Sequence, residues 1–325
     1  MTLRTWCIKA LLETATAYLV EKRIESARLN AEVLLAYQLH VKRISLYLNF
    51  DQPLTEEEVS GYRNLIRRRL KHEPLQYITG VQEFWSLAFR VNPHVLIPRP
   101  ETEILVEQAI TLAGTFSETP LRVLDLGTGS GVISVTLAKE VPEALILATD
   151  ISGEALGLAR LNAQEHGVSD RITFLRGNLF EPLMVEKPVF HLIASNPPYV
   201  CTHEIQGLLP EVERYEPRSA LDGGKDGMDF LKEIMGRAPK FLYPGGWLLL
   251  EMSPSQVEEA LFVLAQTGLY QNETKIEDYS HRERVVMAQM KSNVGQGMSN
   301  YEGFLDLQEG KWAFMEKRKP CFKGR

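Results

Sequence analysis

The part of this chain best suited to chemistry is the run Asn196-Pro197-Pro198-Tyr199. It follows a mostly apolar stretch, His191 to Ser195, that reads as a buried strand emptying into a rigid turn. A planar amide or exocyclic amine nitrogen has its lone pair delocalised into a neighbouring π system, the same resonance that flattens the peptide bond, so it is a poor nucleophile. The side-chain oxygen of Asn196 and a backbone carbonyl of the turn can accept its two N–H hydrogens and aim the lone pair at an electrophile. Two prolines fix φ and donate no N–H, which holds those acceptors in place beforehand. A strand ending in a Pro-Pro turn is common on structural grounds alone. Asn ahead of Pro-Pro-aromatic is rarer, and the functional reading is preferred, with Tyr199 read as touching the substrate rather than only packing the turn.

A second constellation lies upstream. The run Asp125-Leu126-Gly127-Thr128-Gly129-Ser130-Gly131 closes one strand, and a helical pattern follows from Val132. Glycines there let the backbone approach a ligand at a helix N-terminus, although a glycine-rich turn by itself also serves packing. The spacing is G-x-G-x-G, unlike the G-x-G-x-x-G of dinucleotide sites, and Asp150 closes the next strand about 20 residues further on, where an acid can take a ribose diol. This combination resembles the nucleoside site of class I methyltransferases, whose donor is S-adenosylmethionine. The resemblance puts Asp125 near the methionine end or beneath the loop amides. It also puts Asn178 and Leu179 at the adenine, where such enzymes commonly carry an acid followed by an apolar or aromatic residue. Asn178 supplies an acceptor without the charge, and Leu179 supplies contact without an aromatic face.

These residues need a scaffold, and the pattern supplies one. Strand-like runs at Arg122–Leu126, Ala144–Asp150, Ile172–Arg176, His191–Ser195 and Trp247–Glu251 alternate with helical ones. That is the signature of an α/β, Rossmann-like doubly wound sheet, mostly parallel, with ligands at the carboxyl ends of its strands. Two further runs, near 269–276 and 283–290, have no helix between them and are expected to pair antiparallel. Ahead of this, apolar residues such as Ala31, Leu34, Leu35 and Leu39 recur at helical spacing and predict a small helical bundle over 1–75. Thr55 and Glu58 form a capping box opening a helix that carries Arg63, Arg67, Arg68, Arg69 and Lys71, a basic run read as a solvated face. The β-branched and aromatic residues of 76–97 predict a hairpin linking the bundle to a catalytic domain at 98–290, with an extension at 291–325. The prolines of Ile97-Pro98-Arg99-Pro100 delay the next helix to Glu101, whose polar first turn is placed to wall one side of a pocket.

Composition narrows the classes. A chain of 325 residues with 44% hydrophobic content can build a large core and a smaller one. Its net charge of -6 argues against a general affinity for nucleic-acid phosphate. Its three cysteines are far apart, suggesting neither a zinc site nor a disulfide framework, and no metal is expected. No stretch reaches the roughly 18 apolar residues of a membrane span, so a soluble, cytoplasmic protein is expected.

Taken together, the residues resemble one family, the release factor glutamine methyltransferases known as PrmC or HemK. The resemblance rests on I-P-R-P-E-T-E at 97–103, D-L-G-T-G-S-G at 125–131, N-P-P-Y at 196–199, L-D-G-G-K-D-G at 221–227 and R-E-R-V-V at 282–286, and it spans roughly 5–290. N-P-P-Y is shared with DNA adenine methyltransferases, so it names a nitrogen chemistry and no substrate. The I-P-R-P-E-T-E and L-D-G-G segments, with the helical bundle and hairpin, carry the specificity, and a sister family acting on a ribosomal protein departs from P-E-T-E. The resemblance implies methyl transfer from S-adenosylmethionine to the glutamine of the Gly-Gly-Gln motif in class 1 peptide release factors. It also implies that the bundle grips the release factor while the Gly-Gly-Gln loop enters beside Tyr199. Asn196 would accept one amide hydrogen and the Pro197 carbonyl the other, with Pro198 and Tyr199 completing the substrate surface. An adenine methyltransferase would bring a basic groove and a base-reading module, a nicotinamide oxidoreductase a different glycine spacing, and a silent binding protein no turnover. The extension beyond 290 lies past the family's usual end and is given no role.

Overall fold

The structure, a computed structural model, describes residues 6–183 and 189–292, so nearly all of the extension expected from 291 lies outside the described residues. The chain divides into two compact units.

The smaller unit is drawn from 1–81, 91–93 and 208–215. Its helices are α1 (Ile8–Glu21), α2 (Ala27–Leu39), α3 (Arg43–Leu48), α4 (Glu56–Leu70) and α5 (Leu75–Thr79). Leu12, Leu19, Leu34, Leu35 and Leu46 are fully buried, as the helical spacing requires. The expected capping box forms at the start of α4: Thr55 Oγ1 accepts from Glu58 N at 3.2 Å, and Glu58 Oε2 accepts from Thr55 N at 2.7 Å. The basic run on α4 is not uniformly solvated. Arg69 is buried, where it donates to Asn30 Oδ1 at 2.7 Å and pairs with Glu211 Oε2 at 2.6 Å. A guanidinium is tolerated there because its fork of donors is satisfied on several sides.

The larger unit opens with a hairpin, β1 (Val81–Phe84) and β2 (Leu87–Arg90), followed by α6 (Thr102–Ala113), β3 (Leu121–Leu126), α7 (Val132–Glu140), β4 (Ala144–Asp150) and α8 (Gly153–Glu165). Next come β5 (Ile172–Arg176), β6 (Phe190–Ser195), the short α9 (Pro210–Tyr215) that belongs to the smaller unit, and α10 (Asp229–Arg237). The chain then forms β7 (Leu242–Glu251), α11 (Val257–Thr267), β8 (Tyr270–Glu277) and β9 (Glu283–Met290). Tyr77 and Ile78, expected in the hairpin, fall in α5, which Gly80 terminates in a left-handed conformation. The hairpin turns on Trp85 and Ser86, both at positive φ. The Trp85 amide donates to Glu103 Oε1 at 2.7 Å, anchoring a turn that such residues rarely adopt alone.

The main sheet has the order β5-β4-β3-β6-β7-β9-β8, with β9 antiparallel to both of its neighbours as the absence of an intervening helix implied. Helices cover both faces, so the central strands bury both sets of side chains: Val123 and Leu192 enter one core, Leu124 and Ile193 the other. β7 begins five residues before the expected Trp247, because Gly245 at positive φ lets the strand continue through an irregularity that resembles a break. The winding reverses between β3 and β6, which pair with Leu126 opposite Ser195. Both strands therefore discharge their next residues, Gly127 and Asn196, at one place. No described helix is long and apolar enough to cross a membrane.

Candidate active site

A cavity of about 240 Å³ opens where β3, β4, β5 and β6 end. Its wall brings together Gly127, Thr128, Gly129, Ser130, Asp150, Asn178, Leu179, Asn196, Pro197 and Pro198, most of the residues the sequence singled out. The amides of Gly127 and Thr128 both donate to Thr149 O, folding the loop back over the end of β4. Gly127 and Gly129 have positive φ, and a Cβ on either would meet no atom within 4 Å, so open space lies beside the loop backbone. Gly131 has another task. A Cβ there would lie 3.1 Å from that of Ala159, so this glycine seats α7 against α8 and stays off the cavity wall.

Asp125 is also off the wall. Its carboxylate is fully buried beneath the loop, where Oδ2 accepts from Thr128 Oγ1 at 2.6 Å and Ser134 Oγ at 2.5 Å. Burial pushes its pKa up to about 6 against the pull of those hydroxyls. Of the two placements expected, the structure supports the one beneath the loop. Asp150 does face the cavity: Oδ2 accepts from Gly129 N at 2.8 Å and Oδ1 from Ser152 N at 2.9 Å. Burial raises its pKa while these amides and that of Ile151 favour the charge, and the carboxylate keeps acceptor capacity for a further donor. Across the cavity, Asn178 and a Leu179 at positive φ follow β5.

At the opposite side, Asn196 Nδ2 donates to Thr102 Oγ1 at 3.0 Å. Asn196 thus lies on the cavity wall with its nitrogen held by the first turn of α6 and no hydrogen bond to Oδ1 among the described residues. Among the described residues no hydrogen bond ends on Pro197 O. Ser195 Oγ donates to Leu126 O at 2.7 Å, tying the end of β6 to the end of β3. Tyr199, expected to touch the substrate, turns away from the cavity: its hydroxyl donates to Glu251 Oε1 at 3.4 Å, and its ring packs against the core. A large, mostly apolar ring is better placed in that core than on a wetted wall.

Several contributors had no structural role assigned from the sequence. L-D-G-G braces the turn: Val200 N donates to Leu221 O at 2.9 Å and Gly223 N to Val200 O at 2.8 Å. A Cβ on Gly223 would come within 2.7 Å of Pro198 O and Tyr199 Cα, so only glycine permits the approach. Gln256 Nε2 donates to Tyr199 O at 2.8 Å and Gly227 O at 3.0 Å. His94, Val95, Pro217 and Phe230 also line the cavity, and no motif announced them. Arg99, also on the wall, pairs with buried Glu216 at 2.6 Å. Asn162 ties the glycine loop to the hairpin, its Nδ2 donating to Ser130 O at 2.8 Å and its Oδ1 accepting from Arg90 N at 2.8 Å.

The sheet order, the glycine loop, and the acid closing the second strand define a class I S-adenosylmethionine-dependent methyltransferase. The solved catalytic domain of hMettl16, crystallised with the MAT2A 3'UTR hairpin 6, shares this fold with a TM-score of 0.53 at 16% identity, covering 67% of this chain and 80% of that one. Residues 10–80 match the PrmC N-terminal domain family, and 103–210 match the methyltransferase small domain family. The chain is 48% identical to the release factor glutamine methyltransferase of Geobacter sulfurreducens, over 81% of its own length and 90% of the relative's. It is 39% identical to the enzyme of that name from Rhodopirellula baltica, over 87% and 96% respectively. The chain belongs to the release factor glutamine methyltransferase family.

Proposed function

We propose that this protein transfers a methyl group from S-adenosylmethionine to the side-chain amide nitrogen of the Gly-Gly-Gln glutamine in class 1 peptide release factors. The observation that carries the reading is that Asn196 lines the cavity with its amide nitrogen held by Thr102, an arrangement in which its oxygen serves as the acceptor for a donor in the cavity. The residues present suit the donor. Gly127 and Gly129 leave room beside the loop backbone, Asp150 keeps acceptor capacity for a ribose diol, Asn178 offers an oxygen to an adenine amine, and Leu179 offers an apolar face. Thr128 and Ser130 shape the loop between them.

When bound, S-adenosylmethionine supplies an electrophilic methyl on a sulfonium. The chain's own residues do the rest by placement. Asn196 Oδ1 and Pro197 O accept the two hydrogens of the carboxamide and orient its nitrogen toward the methyl, with Pro198 bounding the slot. As the new C–N bond formed and the methyl–sulfur bond broke to leave a neutral thioether, positive charge would grow on that nitrogen, so both acceptors would bind the transition state better than the ground state. The proton leaves to water once the methyl has transferred. Tyr199 supports the turn from behind. The helical unit is assigned to holding the release factor, in a soluble, cytoplasmic reaction, with catalysis carried by the domain at 98–290.

The test is mass spectrometry of recombinant release factor after incubation with this protein and S-adenosylmethionine. One added methyl on the Gly-Gly-Gln peptide is expected. A release factor left unmodified, with label appearing on adenine in DNA or RNA instead, overturns the assignment.

A further inference from the structure

Glu251 ends β7 and is fully buried. Its neighbour β6 pairs Ser195 with Leu250, so the strand register carries Glu251 alongside Asn196. Glu251 Oε1 accepts from Tyr199 at 3.4 Å, while Oε2 has no hydrogen-bond partner among the described residues. The Thr102 hydroxyl also faces this carboxylate and favours its charged form, as does Arg284, whereas Glu101 disfavours it. A buried carboxylate with one oxygen unmatched is a costly thing to keep, and an apolar side chain of similar size would fill the space at less expense to folding. Its retention beneath the reactive turn calls for a role.

The role follows from donor and acceptor arithmetic. Above a pH of about 7 the Glu251 carboxylate is ionised and accepts only, and a threonine hydroxyl has a single proton. If that proton points at Glu251, Oγ1 is left to accept, and the group it accepts from is Asn196 Nδ2. Without the carboxylate, the hydroxyl can rotate and donate to Asn196 Oδ1, and the carboxamide can flip. A flipped Asn196 would offer the cavity two N–H donors in place of an acceptor, which repels the N–H groups of an incoming amide. Resting on the glutamine reading above, we propose that Glu251 is a positioning residue for methyl transfer: through the Thr102 hydroxyl it fixes the Asn196 carboxamide with Oδ1 toward the cavity.

The experiment is solution NMR at pH 8, where Glu251 is ionised, of the full-length protein labelled with ¹⁵N-asparagine, comparing wild type with Glu251→Gln, Thr102→Val and Thr102→Ser. The Asn196 side-chain NH₂ pair is assigned by its loss in Asn196→Asp. The wild-type and Thr102→Ser pairs are expected to superimpose, whereas in Glu251→Gln and Thr102→Val the pair shifts and its protons exchange with water about tenfold faster, a loss of the size typical when a supporting shell is broken. In glutamine methylation the same two variants are expected to lose about tenfold in kcat with KM within about twofold, while calorimetry shows S-adenosylmethionine affinity unchanged. An Asn196 pair unmoved in both variants overturns the positioning role, whatever the activity. A pair that moves as expected in a protein that methylates no glutamine leaves the positioning role standing and removes the substrate reading.

Discussion

At the scale of single residues, the site turns on one oxygen and on the buried charge behind it. Asn196→Ala removes the acceptor but leaves the glycine loop, Asp150 and Asn178 untouched. Its kcat for release factor methylation is expected to fall by about 10²–10³, the usual cost of one transition-state contact, while donor affinity by calorimetry stays within about twofold. Normal turnover in that variant would remove Asn196 from the mechanism. Glu251 makes a second prediction, about stability. Burial lifts its pKa from an ordinary 4.5 to about 7, so the folded state holds a proton that the unfolded state gives up between those values. Its contribution is therefore fully present below the unfolded value and is lost as pH rises through about 7, at a cost of about 3 kcal/mol. Asp125, lifted to about 6, acts in the same direction over a lower range. Glu251→Gln is expected to be more stable than wild type to urea at pH 8, with the difference closing at pH 5. An enzyme that gains stability as it loses turnover is the pattern of a site holding strain for function. A Glu251→Gln protein less stable at pH 8 would show that the charge is not the burden described.

At the scale of elements, the sequence disclosed the scaffold better than the supports. The strands β4 and β5 begin and end where periodicity put them, because short β-branched and apolar runs between helical patterns leave little freedom in register. N-P-P-Y and the glycine loop were legible for a local reason: each is a contiguous run whose chemistry is contained in its own residues. The polar first turn of α6 was expected to wall a pocket, and Thr102 does line the cavity; Glu251 and Gln256 escaped because each acts through a neighbour brought near by the sheet, and a lone Glu at a strand end carries no signal in one dimension. Tyr199 was misplaced for the converse reason, since the motif fixes its backbone while the core decides where its ring goes. L-D-G-G was recognisable as a motif, but its work is mechanical. Gly223→Ala would drive a methyl to 2.7 Å from Pro198 O, a backbone atom that cannot swing aside as a side chain can. Relief requires the turn to move, so a loss of about 1–3 kcal/mol in stability is expected from overpacking. A drop in kcat larger than the fraction unfolded explains should accompany it. Gly157→Ala, at an exposed interior position of α8 where nothing lies within 4 Å, is the control: it should leave kcat unchanged and raise stability by about 0.5–1 kcal/mol through helix propensity alone. Equal behaviour of the two variants would deny the brace.

At the scale of the whole molecule, the chain does not build its two units one after the other. The smaller unit takes 1–81, then 91–93, then 208–215, so the connection between β6 and β7 returns to complete a body begun at the other end of the chain. The match to the PrmC N-terminal domain family stops at residue 80, where the local helical pattern stops too. Neither the family match nor periodicity can register a six-residue helix arriving more than a hundred positions later. Energetically that helix is not optional. Glu211 pairs with the buried Arg69 guanidinium, and Tyr215 donates its hydroxyl to Lys71 O at 3.0 Å. A body of about 80 residues has only about 4–12 kcal/mol of stability in total, so weakening the pairing of a buried guanidinium, even one that keeps Asn30 and Glu73 O as partners, takes a share it can ill spare. A fragment comprising 1–81 is therefore expected to be marginal, with α4 amides exchanging far faster than in the full chain and a lower urea midpoint. Within the full chain, Glu211→Gln should reproduce part of the loss by weakening the pair while leaving the fragment boundaries intact. If the 1–81 fragment protects its α4 amides as well as the full chain does, 208–215 is a passenger on a bundle that is complete without it.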